Sequence, residues 1–371
     1  MSGADAPAHT FEGVQRADGA VGVRDTVLVL PSVICSHFVA ERIADRVPTA
    51  IAAPHDHGCA QLGADSEQTR RTFLTLAQNP NVAGTVVVGL GCEEVQSDEV
   101  ATALEEMDVP VRELSIQGVG GVDECIERGA EAATDLVEGH TATRSRSGIA
   151  DLTVGIVSSD LDESTVAEAD PLVGEVVDRV VDAGGRVVVA GNERIAAHPE
   201  AARAAADDET VEEAMSALIE RHAQNPDRAT RVGRAARDRT FEEATGSWGD
   251  RSISEVLEYG DQIGIDEGLA VVDAPSRFAE ATTALAAAGA NVVIHLTGDG
   301  VVAGHPILPV LKVTGDPETG EALSEDIDVL ATETDADTFL DRILKVANGA
   351  ECRAESHGIT QFAITRVGPS M

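Results

Sequence analysis

Residues 26–36, TVLVLPSVICS, decide the fold class of this chain. The run TVLVL at 26–30 shows no regular alternation of apolar and polar residues, which is typical of a strand buried on both faces. A similar opening, LTVGIVSSDL at 152–161, starts the second half of the chain. Strands of this kind belong to parallel sheets that helices cover on both sides. The sequence therefore predicts an α/β protein.

Short Val-rich runs alternate with helical patterns along the chain, which predicts right-handed βαβ units. We predict strands at 26–30, 50–53, 84–88, 111–116, 152–157, 186–190, 270–272, 292–296 and 310–313. We predict helices near 36–47, 66–79, 98–107, 122–138, 171–183, 201–224, 277–288 and 336–347. This order predicts two Rossmann-like halves with mainly parallel sheets.

The length of 371 residues fits about two domains. We expect a polar, Gly-rich N-terminal arm at 1–24 and a first α/β half at 25–138. The segment GHTATRSRSGIA at 139–150 is small, polar and basic, and it is predicted to be a linker. The second half then covers 151–371, within which residues 225–263 are too charged and irregular to assign.

The net charge of -38, from 65 acidic and 27 basic residues, excludes nucleic acid and anionic membranes as partners. The acids are spread along the chain, so they do not form an acidic tail, and the recurring apolar runs argue against disorder. The remaining interpretation is a folded protein adapted to molar salt, where the Debye length is about 3 Å.

Five cysteines, an odd count without a signal peptide, argue against a disulfide framework. The first residues, MSGADAPAHT, contain no apolar segment, and no apolar stretch in the chain is long enough to span a membrane. We therefore expect a cytoplasmic protein whose thiols stay reduced and can bind metal.

Cys35, Cys59 and Cys92 follow three successive predicted strands. Ligands of open parallel sheets bind beyond the carboxyl ends of the strands, so these thiols are predicted to converge on one site. Thiolates suit iron, zinc or an iron–sulfur cluster, and an iron with an open position suits the dehydration of a hydroxy acid. The alternative is that each cysteine is a small buried apolar residue, which we expect for Cys125 and Cys352.

Histidine and lysine supply the candidate catalytic groups. His55 and His57 lie two residues apart before Cys59, so one could bind metal while the other removes a proton α to a carboxylate. The alternative is a pair of loop histidines that hydrogen-bond to the backbone. Lys312 lies in an apolar run and is either a substrate-carboxylate partner or a solvent contact at a strand edge.

Glycine-rich turns after the predicted strands could present backbone N–H groups to an anionic substrate. The alternative is that these glycines only form tight turns, and the G-x-G spacing alone is weak support for a dinucleotide site. The candidate substrate-binding residues are Ser36, Gly89, Gly91, Gln117, Gly118, Gly120, Thr297 and Gly298.

Four of these segments resemble the large catalytic region of the altronate/galactarate dehydratase family. They are FEGVQRADGAVGVRDTVLVLPSVICS at 11–36, HDHGC at 55–59, PNVAGTVVVGLGCEEVQ at 80–96 and SIQGVGG at 115–121. The second half departs from the family pattern. Ser158–Asp160 stands for a Gly-Gly-Ser-Asp run, and His305 stands where the family usually has cysteine.

The resemblance implies a catalytic large subunit that dehydrates an aldonate or aldarate to a 2-keto-3-deoxy acid. It also implies iron or another divalent metal, and the cysteines leave open whether the iron is mononuclear Fe²⁺ or an iron–sulfur cluster. We expect His57 to act as the base and Lys312 to hold the substrate carboxylate. Family members often carry a SAF-type domain, for which the first 24 residues leave no room, so a small SAF-domain subunit is the expected partner. Homo-oligomer formation is left open.

Three alternatives remain at this point. A carbon–sulfur lyase of the sulfolactate type would keep the fold and change the leaving group. A non-catalytic sugar-acid-binding subunit would bind ligand without turnover. A dinucleotide-dependent oxidoreductase is the weakest of the three, because the full fingerprint of that class is missing.

Overall fold

Three β-sheets organise residues 9–139, 142–224 and 230–367, which are the residues that the computed structural model describes. The strands are β1 (Thr10–Gln15), β2 (Val21–Gly22), β3 (Thr26–Pro31), β4 (Ala50–Ala52), β5 (Val82–Gly89), β6 (Val111–Ser115), β7 (Thr143–Gly148), β8 (Thr153–Ser158), β9 (Arg186–Ala190), β10 (Ile253–Leu257), β11 (Gly268–Val272), β12 (Val292–Leu296), β13 (Val310–Thr314) and β14 (Val329–Leu330). The α-helices are α1 (His37–Ala44), α2 (Ala64–Ala77), α3 (Ser97–Glu106), α4 (Ile116–Val119), α5 (Val122–Gly139), α6 (Asp170–Asp182), α7 (Asn192–Ala197), α8 (Pro199–Ala204), α9 (Glu209–Gln224), α10 (Arg231–Arg237), α11 (Phe241–Ala244), α12 (Phe278–Ala287), α13 (Pro317–Ala322), α14 (Ala336–Ala347) and α15 (Arg353–His357).

The first half contains a four-stranded parallel sheet in the order β4-β3-β5-β6. Helices α1 and α5 cover one face and α2 and α3 cover the other. The chain moves outward from β3 to β4 and then returns to β5 on the opposite side of β3. The order therefore reverses between β3 and β5, and a crevice opens at the carboxyl ends of strands that flank such a reversal.

The second half contains seven parallel strands in the order β10-β11-β9-β8-β12-β13-β14. Helices α6, α9 and α14 pack on one face of this sheet. The other face, under α12, shares one apolar cluster with α2 and α3 of the first half. The strand order reverses between β8 and β12, so this sheet has its own crevice at that point. Two Rossmann-like halves with parallel sheets are thus confirmed.

The predicted arm and linker differ from the prediction, because they pair with each other. Strand β1 lies antiparallel between β2 and β7, with Thr10 opposite Gly148 and Gln15 opposite Thr143. Strand β1 buries Phe11 and Val14, whereas four of the six residues of β7 are exposed. A strand with so little buried surface shows no apolar pattern, so its sequence, TRSRSG, resembled a linker.

The unassigned region also forms regular structure. The long helix predicted at 201–224 is divided into α8 and α9, and the stretch after it contains α10, α11 and β10. Parts of the predicted arm, linker and unassigned region, namely 1–8, 140–141 and 225–229, lie outside the described residues. Within the described ranges, no helix is both long enough and apolar enough to cross a bilayer.

Candidate functional site

Three cysteine-bearing loops meet at the carboxyl edge of the first sheet. The N–H of Ile34 donates to the carbonyl of His57 over 2.8 Å, and the N–H of Glu94 donates to the carbonyl of Gly58 over 3.0 Å. Gly58 has a φ of +90°, and a Cβ atom there would lie 2.0 Å from the carbonyl oxygen of Ser32. Only glycine allows this approach, so the loops after β3, β4 and β5 are fastened together.

The thiols of Cys35, Cys59 and Cys92 are all free and exposed on these loops. Their donor chemistry suits iron. Among residues 9–139, 142–224 and 230–367, however, no group of three His, Cys, Asp or Glu side chains is arranged to hold a metal ion. Within these ranges the three thiols do not form a preassembled metal site.

The other two cysteines, Cys125 and Cys352, are buried and free. Burial raises the pKa of the Cys125 thiol to about 11 and that of Cys352 to about 12. Both therefore remain neutral thiols at neutral pH, in keeping with a packing role.

Both ring nitrogens of His55 and His57 have partners within the protein. In His55, Nε2 lies 2.6 Å from the carbonyl of Pro31, and Nδ1 accepts from the His57 N–H. In His57, Nε2 lies 2.9 Å from the carbonyl of Ile364, and Nδ1 lies 2.8 Å from the Gln61 side-chain amide. Burial lowers the pKa of His55 to about 4 and also lowers the pKa of His57, although Asp56 opposes the latter shift.

The predicted anion-binding turn at Gly89 and Gly91 is occupied by a carboxylate of the chain itself. Glu93 accepts hydrogen bonds from the N–H groups of Gly91 and Cys92 and from the hydroxyl of Ser32. Burial alone would raise the pKa of Glu93, but these hydrogen bonds outweigh it and hold the pKa below its usual range. A Cβ atom on Gly89 would lie 2.4 Å from the Glu93 carboxylate, so this glycine makes room for Glu93.

Several other predicted contacts also form within the protein. The hydroxyl of Ser36 donates to the carbonyl of Val88 over 2.7 Å, the N–H of Gly118 donates to Ser115, and the N–H of Gly298 donates to Asp160. The remaining predicted positions are Gln117 and Gly120, which are exposed, and Thr297, whose hydroxyl accepts from the Val301 N–H.

Lys312 lies at the centre of β13, fully buried. Its ammonium nitrogen lies 3.0 Å from Nδ1 of His295 and 3.9 Å from the centre of the Phe278 ring. The Nε2 atom of His295 lies 2.6 Å from the hydroxyl of Ser159, which is half-buried at the end of β8. The lysine therefore contacts neither solvent nor a strand edge, and it begins a hydrogen-bonded row that ends at the carboxyl edge of the sheet.

A cleft of about 720 Å³ lies where the second sheet meets α2 and the C-terminal segment. Asn192, Glu258 and Asp273, which follow β9, β10 and β11, line one side of it. Four arginines also line the cleft: Arg71, Arg221, Arg277 and Arg366. The cleft is also lined by four acidic residues, Glu67, Glu193, Glu258 and Asp273, so its arginines and carboxylates are equal in number, whereas the whole chain has 27 basic residues against 65 acidic ones.

Carboxylates of the chain itself neutralise these arginines in the structure. Arg366 pairs with Asp56 over 2.9 Å, and Arg221 pairs with Asp273 over 3.0 Å. All four side chains remain between 33% and 48% exposed. An incoming carboxylate can therefore exchange with these partly exposed pairs, and guanidinium groups bind carboxylates in a bidentate manner.

Comparison with known proteins agrees with this architecture. Residues 13–141 match the second domain of D-galactarate dehydratase/altronate hydrolase, and residues 242–370 match the C-terminal region of D-galactarate/altronate dehydratase. The chain belongs to the D-galactarate/altronate dehydratase family. Together the two matches span well over half of the 371 residues.

Individual relatives align over nearly the whole chain. The chain is 28% identical to subunit beta of (2R)-sulfolactate sulfo-lyase from Chromohalobacter salexigens, over 97% of this chain and 98% of that protein. It is also 28% identical to altronate dehydratase of Bacillus subtilis, over 98% of this chain and 79% of that protein. The altronate dehydratase of Escherichia coli is 26% identical over 96% of this chain and 78% of its own length. These alignments support assignment of the chain as a lyase of the dehydratase type.

Two parts of this site were missed by the sequence analysis. His295 lies inside the apolar strand VVIHL, where a single polar residue gives no functional signal. The cleft arginines lie on separate elements, so no local motif unites them. Their scarcity in so acidic a chain is the one sequence feature that could have drawn attention to them.

Proposed function

We propose that the protein removes water from an aldonate or aldarate to give a 2-keto-3-deoxy acid, and that the arginine-lined cleft binds the substrate carboxylate. The cleft carries the proposal, because it concentrates guanidinium groups at the carboxyl edge of a parallel sheet in a strongly acidic protein. Polyhydroxy acids are small and anionic, and a cleft of about 720 Å³ accommodates one.

The reaction requires loss of the proton α to the carboxylate and departure of the β-hydroxyl. His57 is proposed as the base, since burial lowers its pKa and keeps the imidazole neutral, which is the form that accepts a proton. Its Nδ1 atom becomes available only when the contact with the Gln61 side-chain amide opens. Substrate binding beside Arg366, whose partner Asp56 adjoins His57, provides a route for that rearrangement.

Iron binding by Cys35, Cys59 and Cys92 remains a separate proposal. Their loops are fastened together, but the side chains must turn towards one another before they can share one ion. Metal and acid-labile sulfide analysis of anaerobically purified protein tests it. Iron that is retained by the native chain and lost in a Cys59→Ser variant supports the proposal, and equal iron content in both contradicts it.

A small SAF-domain partner subunit is also proposed. The chain covers 98% of a relative named as a subunit beta, but 79% of the Bacillus subtilis altronate dehydratase. The first of these relatives also supports a second candidate function, in which the leaving group is sulfite rather than hydroxide. The dehydratase alignments and both family matches favour water as the leaving group.

The experiment is a substrate survey with aldonates, aldarates and sulfolactate, with 2-keto acid and sulfite measured as separate products. Replacement of Arg277 or Arg366 by alanine should raise KM by about 10- to 100-fold, because each removes a charge-assisted contact with the carboxylate. Arg128→Ala is the matched control, since Arg128 is exposed on α5 and does not line the cleft. Unchanged KM in both cleft variants would show that the carboxylate binds elsewhere.

A further inference from the structure

The chain contains only two lysines, and they occupy opposite environments. Lys345 is exposed on α14, whereas Lys312 is fully buried in β13. Burial lowers the pKa of Lys312 from 10.5 to about 7, although nearby Cys352 and Asp328 favour the charged form. Burying an amine is costly unless it has a specific partner, so the contacts of Lys312 indicate its role.

Those contacts form a row across three neighbouring strands. Lys312 stands opposite His295 in the register of β13 and β12, and His295 stands opposite Val157 of β8, two residues before Ser159. The two hydrogen bonds measure 3.0 Å from Lys312 Nζ to His295 Nδ1 and 2.6 Å from His295 Nε2 to Ser159 Oγ. The three side chains share the face that Phe278 of α12 covers.

The chemistry of the first group fixes the direction of the row. A lysine ammonium can only donate, so His295 Nδ1 must accept. The proton of the neutral imidazole then sits on Nε2 and is donated to Ser159 Oγ. Burial, and then the charge of Lys312, lower the pKa of His295 well below its usual value, which keeps the ring neutral. The hydroxyl hydrogen of Ser159 is therefore left to point out of the row.

We propose that Ser159 is a catalytic acid of the dehydration and that His295 and Lys312 position and recharge it. This inference rests on the proposed function. Ser159 Oγ–H passes its proton to the departing β-hydroxyl, which leaves as water. Oγ takes a proton from His295 Nε2, and Nδ1 takes one from Lys312 Nζ, so the ammonium becomes an amine. After product release a solvent proton reaches Ser159 Oγ, Ser159 passes a proton to His295 Nε2, and His295 Nδ1–H returns one to Lys312 Nζ, which restores the ammonium.

The location of Ser159 supports this role. It follows β8 at the reversal of strand order between β8 and β12, which is where ligands of such sheets bind. Strand β8 also neighbours β9 in the sheet, and Asn192, which follows β9, lines the arginine cleft. Hydroxide is a poor leaving group and needs a proton, whereas sulfite does not, so this row suits the loss of water.

The row also predicts how pH acts on the reaction. The acid works only while Lys312 carries its proton, so turnover should fall as the pH rises through the pKa of Lys312. The groups that face the amine are His295, Asp328, Cys352 and the Phe278 ring. Of these, Cys352 keeps its proton well above neutral pH, because burial raises its pKa to about 12.

Leaving-group dependence tests the proposal. Ser159→Ala should lower kcat roughly 100- to 10,000-fold on the hydroxy acid, but by less than about tenfold on an analogue whose leaving group is fluoride. Ser159→Cys, which keeps a proton donor, should recover part of the loss. Thr85→Val is the control, because it removes a buried hydroxyl that has no hydrogen-bond partner among the described residues. Equal losses on both leaving groups would overturn the proposal.

A measurement without substrate separates this proposal from the proposed function. Nitrogen-15 NMR of histidine-labelled protein should show His295 with its proton on Nε2, the signal being assigned by its absence in His295→Gln. A proton on Nδ1 would reverse the row and overturn the proposal. Failure to turn over any hydroxy acid would refute the proposed function. A proton on Nδ1 of His295 would refute the proposed role of Ser159, whether or not the protein is active.

Discussion

Replacement of Lys312 by methionine should stabilise the protein at low pH and destabilise it at high pH. The lysine is fully buried, and burial lowers its pKa from 10.5 to about 7. In the unfolded chain Lys312 stays protonated up to about pH 10.5, whereas in the folded protein it loses its proton near pH 7. Between these pH values the unfolded state binds more protons, so wild-type stability rises with pH. Below about pH 7 both states are charged, and the folded state carries the whole cost of the buried charge.

The two pKa values set the size of the effect. Each pKa unit corresponds to about 1.4 kcal/mol, so the buried charge destabilises the folded state by about 5 kcal/mol at about pH 6. Methionine removes this cost but leaves His295 Nδ1 without its 3.0 Å partner, which costs about 1–3 kcal/mol at every pH. The variant should therefore be more stable by about 2–4 kcal/mol near pH 6 and less stable by about 1–3 kcal/mol above about pH 10.5.

Urea unfolding of both proteins at fixed molar salt, from about pH 6 to about pH 10.5, measures this difference. Titrating groups that lie away from Lys312 are common to the two proteins and cancel in the comparison. Lys345→Met is the control, and it should differ from wild type by less than about 0.5 kcal/mol throughout, because Lys345 is exposed. A stability difference for Lys312→Met that stays constant across this pH range would refute the buried-charge reasoning.

Three further predictions concern salt, a loop glycine and the partner. The melting temperature should rise steeply from low to molar salt, because 65 acidic residues repel one another when unscreened, and a flat response would contradict this. Gly58→Ala should cost about 2 kcal/mol or more in chemical unfolding, since its Cβ would meet Ser32, whereas Gly63→Ala, also at positive φ but in open space, should cost less. The chain alone should turn over sugar acids poorly and gain activity when a small SAF-domain subunit is added, which a kinetic titration measures, and full activity of the isolated chain would contradict the two-subunit proposal.

Buried strands were the most predictable part of the fold. Strands Arg186–Ala190 and Val292–Leu296 begin and end where the sequence predicts, because strands covered on both faces consist almost wholly of apolar residues. Strand β7, TRSRSG, was missed because four of its six residues are exposed, whereas the apolar side chains that this pair buries belong to β1. The local sequence pattern therefore located the core but not the antiparallel pair of β1 and β7, which joins residues more than 120 positions apart.

The candidate site was predictable only where topology determines it. The cysteine loops meet because neighbouring parallel strands end at one edge of the sheet, and the sequence order reveals this. The Gly91 N–H donates to Glu93, and His57 hydrogen-bonds to the carbonyl of Ile364. A sequence pattern does not reveal either contact. The contact with Ile364 joins residues 307 positions apart.

Proton NMR of turnover in heavy water, with the candidate partner subunit and a panel of aldonates and aldarates, tests the central claim most directly. Loss of the α-proton and of the β-hydroxyl gives an enol, which takes one deuterium from solvent at C3 as it becomes the 2-keto-3-deoxy acid. We predict that product with a single deuterium at C3, and no 2-keto acid when Arg277 and Arg366 are both replaced by alanine. Release of sulfite from sulfolactate, with no change in any sugar acid, would contradict the assignment of water as the leaving group.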